Sequence, residues 1–151
     1  MSSPYRFVID ASVGIKLFVQ EQGSEQVANL FSHLAADTPA QLYVPDLFYI
    51  ECANILLKYA RRFGRSLEDS HSDLEDLSQL SLRVTPTSVL MADALLLAAE
   101  RNLTAYDACY VILAQRLGIS LLTANEALGR AFENSLGVGE LKIEPYKLGN
   151  T

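Results

Sequence analysis

Four stretches of this chain, far apart in sequence, each set a polar residue against strongly apolar neighbours. They are FVIDAS around Asp10, VPDLFYIECANIL around Glu51, LTAYDACYVILA around Asp107 and LLTANEAL around Asn125. Tyr5–Ile9 and Ile119–Leu122 have the short, aliphatic and β-branched character of buried strands, and each gives way at once to a polar residue and a helix-like segment. A chain that keeps switching from strand to helix in this way builds a mainly parallel sheet covered by helices. In such a sheet, functional groups collect at the carboxyl ends of the strands and at the helix starts that follow.

The rest of the chain continues the alternation. Further strands are expected at Gln41–Val44, Leu82–Val84 and Leu141–Ile143. Helices are expected through Ile15–Phe18, through Gln26–Leu34, from Asp46 to about Arg62 and over Leu67–Leu80. Others should run from near Pro86 to Arg101, over Thr104–Leu117, and from Asn125 to about Phe132. Gly64 and Gly118 stand where helices would stop. The fold class is therefore α/β, with a central mainly parallel sheet covered by helices, and the 151 residues suit a single domain over 1–151.

Composition removes several function classes. Half of the residues are hydrophobic and a fifth are charged, which is globular. The apolar run VLMADALLLAA is broken by Asp93 and is too short to span a bilayer. Met1–Arg6 lacks the basic and apolar regions of a secretory leader, so a soluble, cytoplasmic protein with no membrane partner is expected. Neither Cys52 and Cys109 nor His33 and His71 show zinc-ligand or nucleophile spacing, and the cysteines read as buried reduced thiols. A net charge of −6 argues against a binder that gains affinity by neutralising phosphates indiscriminately. The local run Lys58, Arg61, Arg62 and Arg65 has two readings: a guide for a polyanion, or cations favoured at a helix C-terminus.

Asp10, Glu51, Asp107 and Asn125 are placed by one topological rule on the same sheet edge. Asp107 has a second explanation, since Thr104 to Asp107 has capping-box spacing, and Asn125 could cap the helix that follows Thr123. Asp10 and Glu51 resist such explanations, because a carboxylate among apolar residues is costly without compensation and no basic residue is adjacent in either motif. A hard divalent cation is the usual compensation, and it commonly serves phosphate chemistry. A phosphatase that uses a nucleophilic aspartate at the end of its first strand would need a second aspartate two residues on, where this chain has Ser12.

VIDASV, the Pro45–Leu56 pattern P-x-x-x-x-x-E-x-x-N-x-L and LTAYDACYVILAQRLGISLLTANEAL together resemble the PIN-domain nucleases, most of all the VapC-type toxins of prokaryotic toxin–antitoxin pairs. The resemblance implies a compact three-layer α/β/α fold, Mg²⁺- or Mn²⁺-dependent cleavage of RNA, an antitoxin partner that covers or enters the acidic pocket, and a homodimer. It implies that Asp10, Glu51 and Asp107 are the metal-binding acids and that Ser12 and Thr123 are hydroxyl residues beside the substrate. Asn125 falls where the family usually has a fourth acid, which places it with the catalytic set while removing a charge and a proton acceptor. The expected function is a ribonuclease; the alternative is a catalytically weakened module that binds RNA or an antitoxin without cleavage.

Overall fold

The computed structural model describes residues 5–37 and 39–132, and the backbone of 143–144. Strands β1 (Arg6–Ile9), β2 (Gln41–Pro45), β3 (Arg83–Thr85), β4 (Ser120–Leu122) and β5 (Ile143–Glu144) form one sheet in the order β3-β2-β1-β4-β5. Every described pairing is parallel. The chain winds outward from β1 through β2 to β3, then crosses to β4 on the other side of β1. The strand order thus reverses between β1 and β4, the place where open α/β sheets open a crevice at their carboxyl ends.

The helices are α1 (Ala11–Gly14), α2 (Ser24–Ser32), α3 (Leu47–Phe63), α4 (Leu67–Gln79), α5 (Met91–Arg101), α6 (Ala105–Leu117) and α7 (Glu126–Phe132). Helix α6 is the central one: every residue from Ala108 to Ala114 is buried. A helix that is apolar all round has to be enclosed on all sides, and α6 lies against β1, β2, β4 and α5. Helices α3 and α6 end at Gly64 and Gly118, whose φ values of 67° and 66° are left-handed and suit glycine.

The α/β/α reading holds, with local differences. The segment after Asp10 is one turn of α-helix over Ala11–Gly14 followed by a 3-10 turn over Ile15–Leu17, so the helical stretch begins before the expected Ile15–Phe18 and Phe18 lies outside it. Its tight geometry follows from packing: a Cβ on Gly14 would lie 2.6 Å from Cζ of the buried Phe48, so this turn sits directly on α3. Pro86 does not enter α5. It is extended (ψ 133°), and a 3-10 turn over Thr87–Val89 intervenes, anchored by the Thr87 N–H donating to Asp46 Oδ1 at 2.9 Å. The third strand lies one residue later than Leu82–Val84. Of the last expected strand, Ile143 pairs in β5 whereas Leu141 lies outside the described residues.

Candidate active site

Asp10 follows β1 directly and caps α1, its Oδ1 accepting from the Val13 N–H at 3.2 Å. Ile9 is in register with Leu122, and the Asp10 N–H donates to the Leu122 carbonyl at 3.3 Å. Thr123 therefore emerges from β4 beside Asp10 and donates its hydroxyl to Asp10 Oδ2. Ser12 donates to Oδ1 at 2.5 Å and accepts from the Ala124 N–H at 2.9 Å, a second tie across the same gap. Both carboxylate oxygens are thus held by hydroxyls from the two strand ends that flank the point where strand order reverses. Asp10 is 5% exposed. Burial raises its pKa to about 6, the three hydrogen bonds oppose the rise, and the negative charge of Asp107 adds to it.

Glu51 lies in the second turn of α3 and is half-buried. The Tyr110 hydroxyl, on a side chain only 1% exposed, donates to Glu51 Oε1 at 2.5 Å. Asp107 stands three residues before Tyr110, which puts both on one face of α6. Thr104 caps that helix by accepting from the Asp107 N–H at 3.1 Å. Burial raises the pKa of both Glu51 and Asp107; for Glu51 the Tyr110 hydrogen bond lowers it and repulsion from Asp107 raises it further. Asp107 is therefore felt electrostatically at both Asp10 and Glu51, and none of the three acids forms an ion pair among the described residues.

The remaining residues singled out in the sequence are placed as follows. Thr123 is fully buried, and its oxygen both donates to Asp10 and accepts from the Asn125 N–H at 3.0 Å. Ser12 is half-buried, with the two contacts already given. Asn125 is exposed and its Oδ1 accepts from the Leu128 N–H at 3.2 Å, so its amide caps α7. Tyr110 and Gly14 were not picked out from sequence as parts of the site. For Tyr110 a signal existed, since D-x-x-Y places the two side chains one helical turn apart. Both cysteines are buried and burial pushes their thiols up, Cys109 to about 11, which suits inert packing groups.

The donor set suits a hard cation. It is made of carboxylate oxygens alone, each costly to ionise where it lies and each lacking a cationic partner among the described residues. Among the described residues no three acidic, histidine or cysteine side chains lie close enough together to hold one metal ion between them. Mg²⁺ does not require three such ligands, because it is commonly held by one or two carboxylates and keeps several waters.

A PIN domain family model matches residues 7–133. The chain belongs to the PIN domain family. Ribonuclease VapC3 of Pyrobaculum aerophilum is 38% identical over 130 residues, covering 84% of this chain and 95% of that protein. Two solved structures share the fold at low identity. VapC20 of Mycobacterium tuberculosis, a toxin that cleaves the sarcin-ricin loop, has a TM-score of 0.62 at 15% identity, covering 90% of this chain and 98% of that one. VapBC2 of Rickettsia felis, bound to a DNA fragment from its promoter, has a TM-score of 0.61 at 12% identity, with coverage of 93% and 98%. The PIN resemblance read from the three sequence motifs is thereby confirmed at the level of the family.

Proposed function

We propose that this chain is a single-domain, divalent-metal-dependent ribonuclease that hydrolyses RNA phosphodiesters, the toxin of a toxin–antitoxin pair. The observation that carries the proposal is that Asp10 at the end of β1, Glu51 on α3 and Asp107 on α6 are buried or half-buried, that Asp107 repels both of the others, and that none has an ion-pair partner among the described residues. Residues from both sides of the strand-order reversal build this edge, the place where open α/β sheets bind their ligands.

Asp10, Glu51 and Asp107 are the residues that would hold Mg²⁺ or Mn²⁺. Such an ion would supply positive charge against the phosphate and lower the pKa of an attacking water. The protein's part is positioning. Ser12, Thr123 and the Val13 N–H fix both oxygens of Asp10, and Tyr110 fixes one oxygen of Glu51 and leaves the other free. Asn125 acts at one remove, orienting the chain after Thr123 by capping α7. Its carbonyl oxygen accepts one hydrogen bond there and brings no charge, so the charge on the cation is met by the three acids.

The family resemblance supports an antitoxin partner and a homodimer, and among the described residues no helix is long and apolar enough to cross a membrane. A cytoplasmic site of action accords with an RNA substrate. The deciding experiment measures cleavage of single-stranded RNA by the wild type, Asp10→Ala and Asn125→Asp in Mg²⁺ and in Mn²⁺. Cleavage by the wild type that Asp10→Ala abolishes is the expected result. An inactive wild type restored by Asn125→Asp would establish the weakened binding module instead.

A further inference from the structure

Glu51 forms one end of a cleft of about 350 Å³ that runs along α3 and is lined among the described residues by Asn54, Ile55, Leu57, Lys58 and Arg61. The charges in this cleft stand apart from those of the rest of the molecule. In a chain of net charge −6, most of the basic side chains among the described residues are committed within the protein. Lys16, Arg65, Arg116 and Arg130 pair with Glu21, Asp73, Asp93 and Glu126. Arg6 donates to Gln41, Arg83 lies over Tyr43, and Arg101 donates to the Ala131 carbonyl and covers Phe132. Among the described residues, Lys58, Arg61 and Arg62 are the basic side chains with no such partner, and all three are exposed on α3. Arg65, the fourth member of the sequence run, leaves the group because it bridges Asp73, Ser70 and the Phe18 carbonyl.

We propose that this cleft is a phosphate track, in which Lys58 and Arg61 hold phosphodiester groups of single-stranded RNA on one side of the bond to be cut; the proposal rests on the ribonuclease reading of the acidic site. An α-helix rises about 1.5 Å per residue, so Lys58 lies about 10 Å and Arg61 about 15 Å along α3 from Glu51. Those distances suit phosphates next to the scissile one, not the scissile group itself. Favourable charge at a helix C-terminus accounts for Arg61 and Arg62 in the last turn of α3, but not for Lys58, which stands before it. Nor does it account for free cations sharing a cleft with a metal-site acid. A strand of negative charge approaching three carboxylates has to be drawn in by positive charge nearby, and this cleft carries it.

The test uses the double variant Lys58→Gln/Arg61→Gln, whose altered side chains are exposed. Binding of a single-stranded oligoribonucleotide is measured across a salt series with divalent ions chelated, so that no cleavage occurs. Each phosphate neutralised on a single strand contributes about 0.7 to the slope of log affinity against log salt, so the variant's slope should be shallower by about 1.4. With Mg²⁺ restored, kcat/KM should fall about tenfold for the oligonucleotide and stay unchanged for a dinucleoside monophosphate, which is too short to reach the track. Equal slopes, or equal losses on both substrates, would overturn the proposal. So would unchanged RNA binding by a variant that no longer binds an acidic partner protein. A wild type that binds and cleaves no RNA would instead overturn the ribonuclease reading itself.

Discussion

Tyr110 and Glu51, 59 residues apart in sequence, are joined by a 2.5 Å hydrogen bond in which the phenol donates to the carboxylate. The bond ties the second turn of α3 to α6 and thereby sets the distance between Glu51 and Asp107. Tyr110→Phe keeps the ring that fills the core and removes only the donor. Loss of a hydrogen bond to a charged group costs about 1.5–3 kcal/mol, so a roughly tenfold or greater fall in RNA cleavage is expected. The pKa of Glu51 should also rise, since the bond that opposes its desolvation is gone. Cleavage by Tyr110→Phe at the wild-type rate would show that Glu51 needs no fixed orientation.

The hydroxyls on Asp10 make a parallel case. Thr123→Val is close in shape but withdraws the donor to Asp10 Oδ2 and the acceptor for the Asn125 N–H. The loss at Asp10 occurs in the buried interior, since Thr123 is fully buried, whereas the bond to the Asn125 N–H is only part-buried. A destabilisation of about 1–3 kcal/mol by chemical denaturation is expected, together with weaker cleavage. Thr123→Ser should restore most of both, since it returns the hydroxyl. Wild-type behaviour of the Val variant beside an impaired Ser variant would show that the methyl group, not the oxygen, matters here.

Asp10 also gives the metal-free protein a definite pH response. Its folded pKa of about 6 exceeds the ordinary 3.8, so between these values the folded state binds more protons than the unfolded chain. The stability it contributes is fully present below about pH 4 and lost as pH rises through about 6, a difference of about 3 kcal/mol. Other carboxylates titrate in the same range, so the informative quantity is the difference between wild type and Asp10→Asn in chelator. That difference should shift towards the wild type as pH falls from about 7 to about 4. A pH-independent difference would sink this account of Asp10.

How much of this was legible in the sequence depended on whether the cause was local. Asp10 could be read because a buried strand runs straight into it, and Glu51 because an acid inside an apolar helix has no local explanation. Asp107 has two readings: its N–H donates to the helix cap Thr104, as the capping-box spacing predicts, and its charge is felt at Asp10 and Glu51. Asn125 was read both as a fourth site group and as a cap, and its side-chain oxygen caps α7. Contacts between distant segments were not legible. Nothing local announces that Tyr110 reaches Glu51, that Gly14 lies against Phe48, or that Arg65 turns from its basic neighbours towards Asp73. Such facts belong to packing, which motif spacing does not encode.

Gly14 tests that packing directly. A methyl group there would meet the Phe48 ring at 2.6 and 2.8 Å, and the ring is fully buried and cannot swing into solvent. Gly14→Ala should therefore push α1 away from α3, at a cost of about 1–3 kcal/mol. Because α1 begins at Asp10 and α3 carries Glu51, cleavage should fall along with stability. Adding Phe48→Leu removes the clash, so the double variant should be more stable than the sum of the two single changes predicts. Strict additivity would mean that the two residues do not touch in solution.

The acidic edge makes one further demand that needs no substrate. A ligand that binds only the folded state raises its stability by RT ln(1 + [L]/Kd), so Mn²⁺ at about 100 times its Kd should add about 2.7 kcal/mol. The gain should be smaller at about pH 5 than at about pH 7, because protons compete for Asp10, whose pKa lies near 6, and for Glu51 and Asp107, which are raised in the same direction. Asp107→Asn should remove much of the Mn²⁺ effect and at the same time stabilise the metal-free protein, since it relieves repulsion felt at both Asp10 and Glu51. Those opposite signs separate a metal site from an ordinary structural acid, whose removal has no reason to act differently with and without the ion. A variant that lowers stability equally in Mn²⁺ and in chelator would leave Asp107 as a helix-capping residue and nothing more.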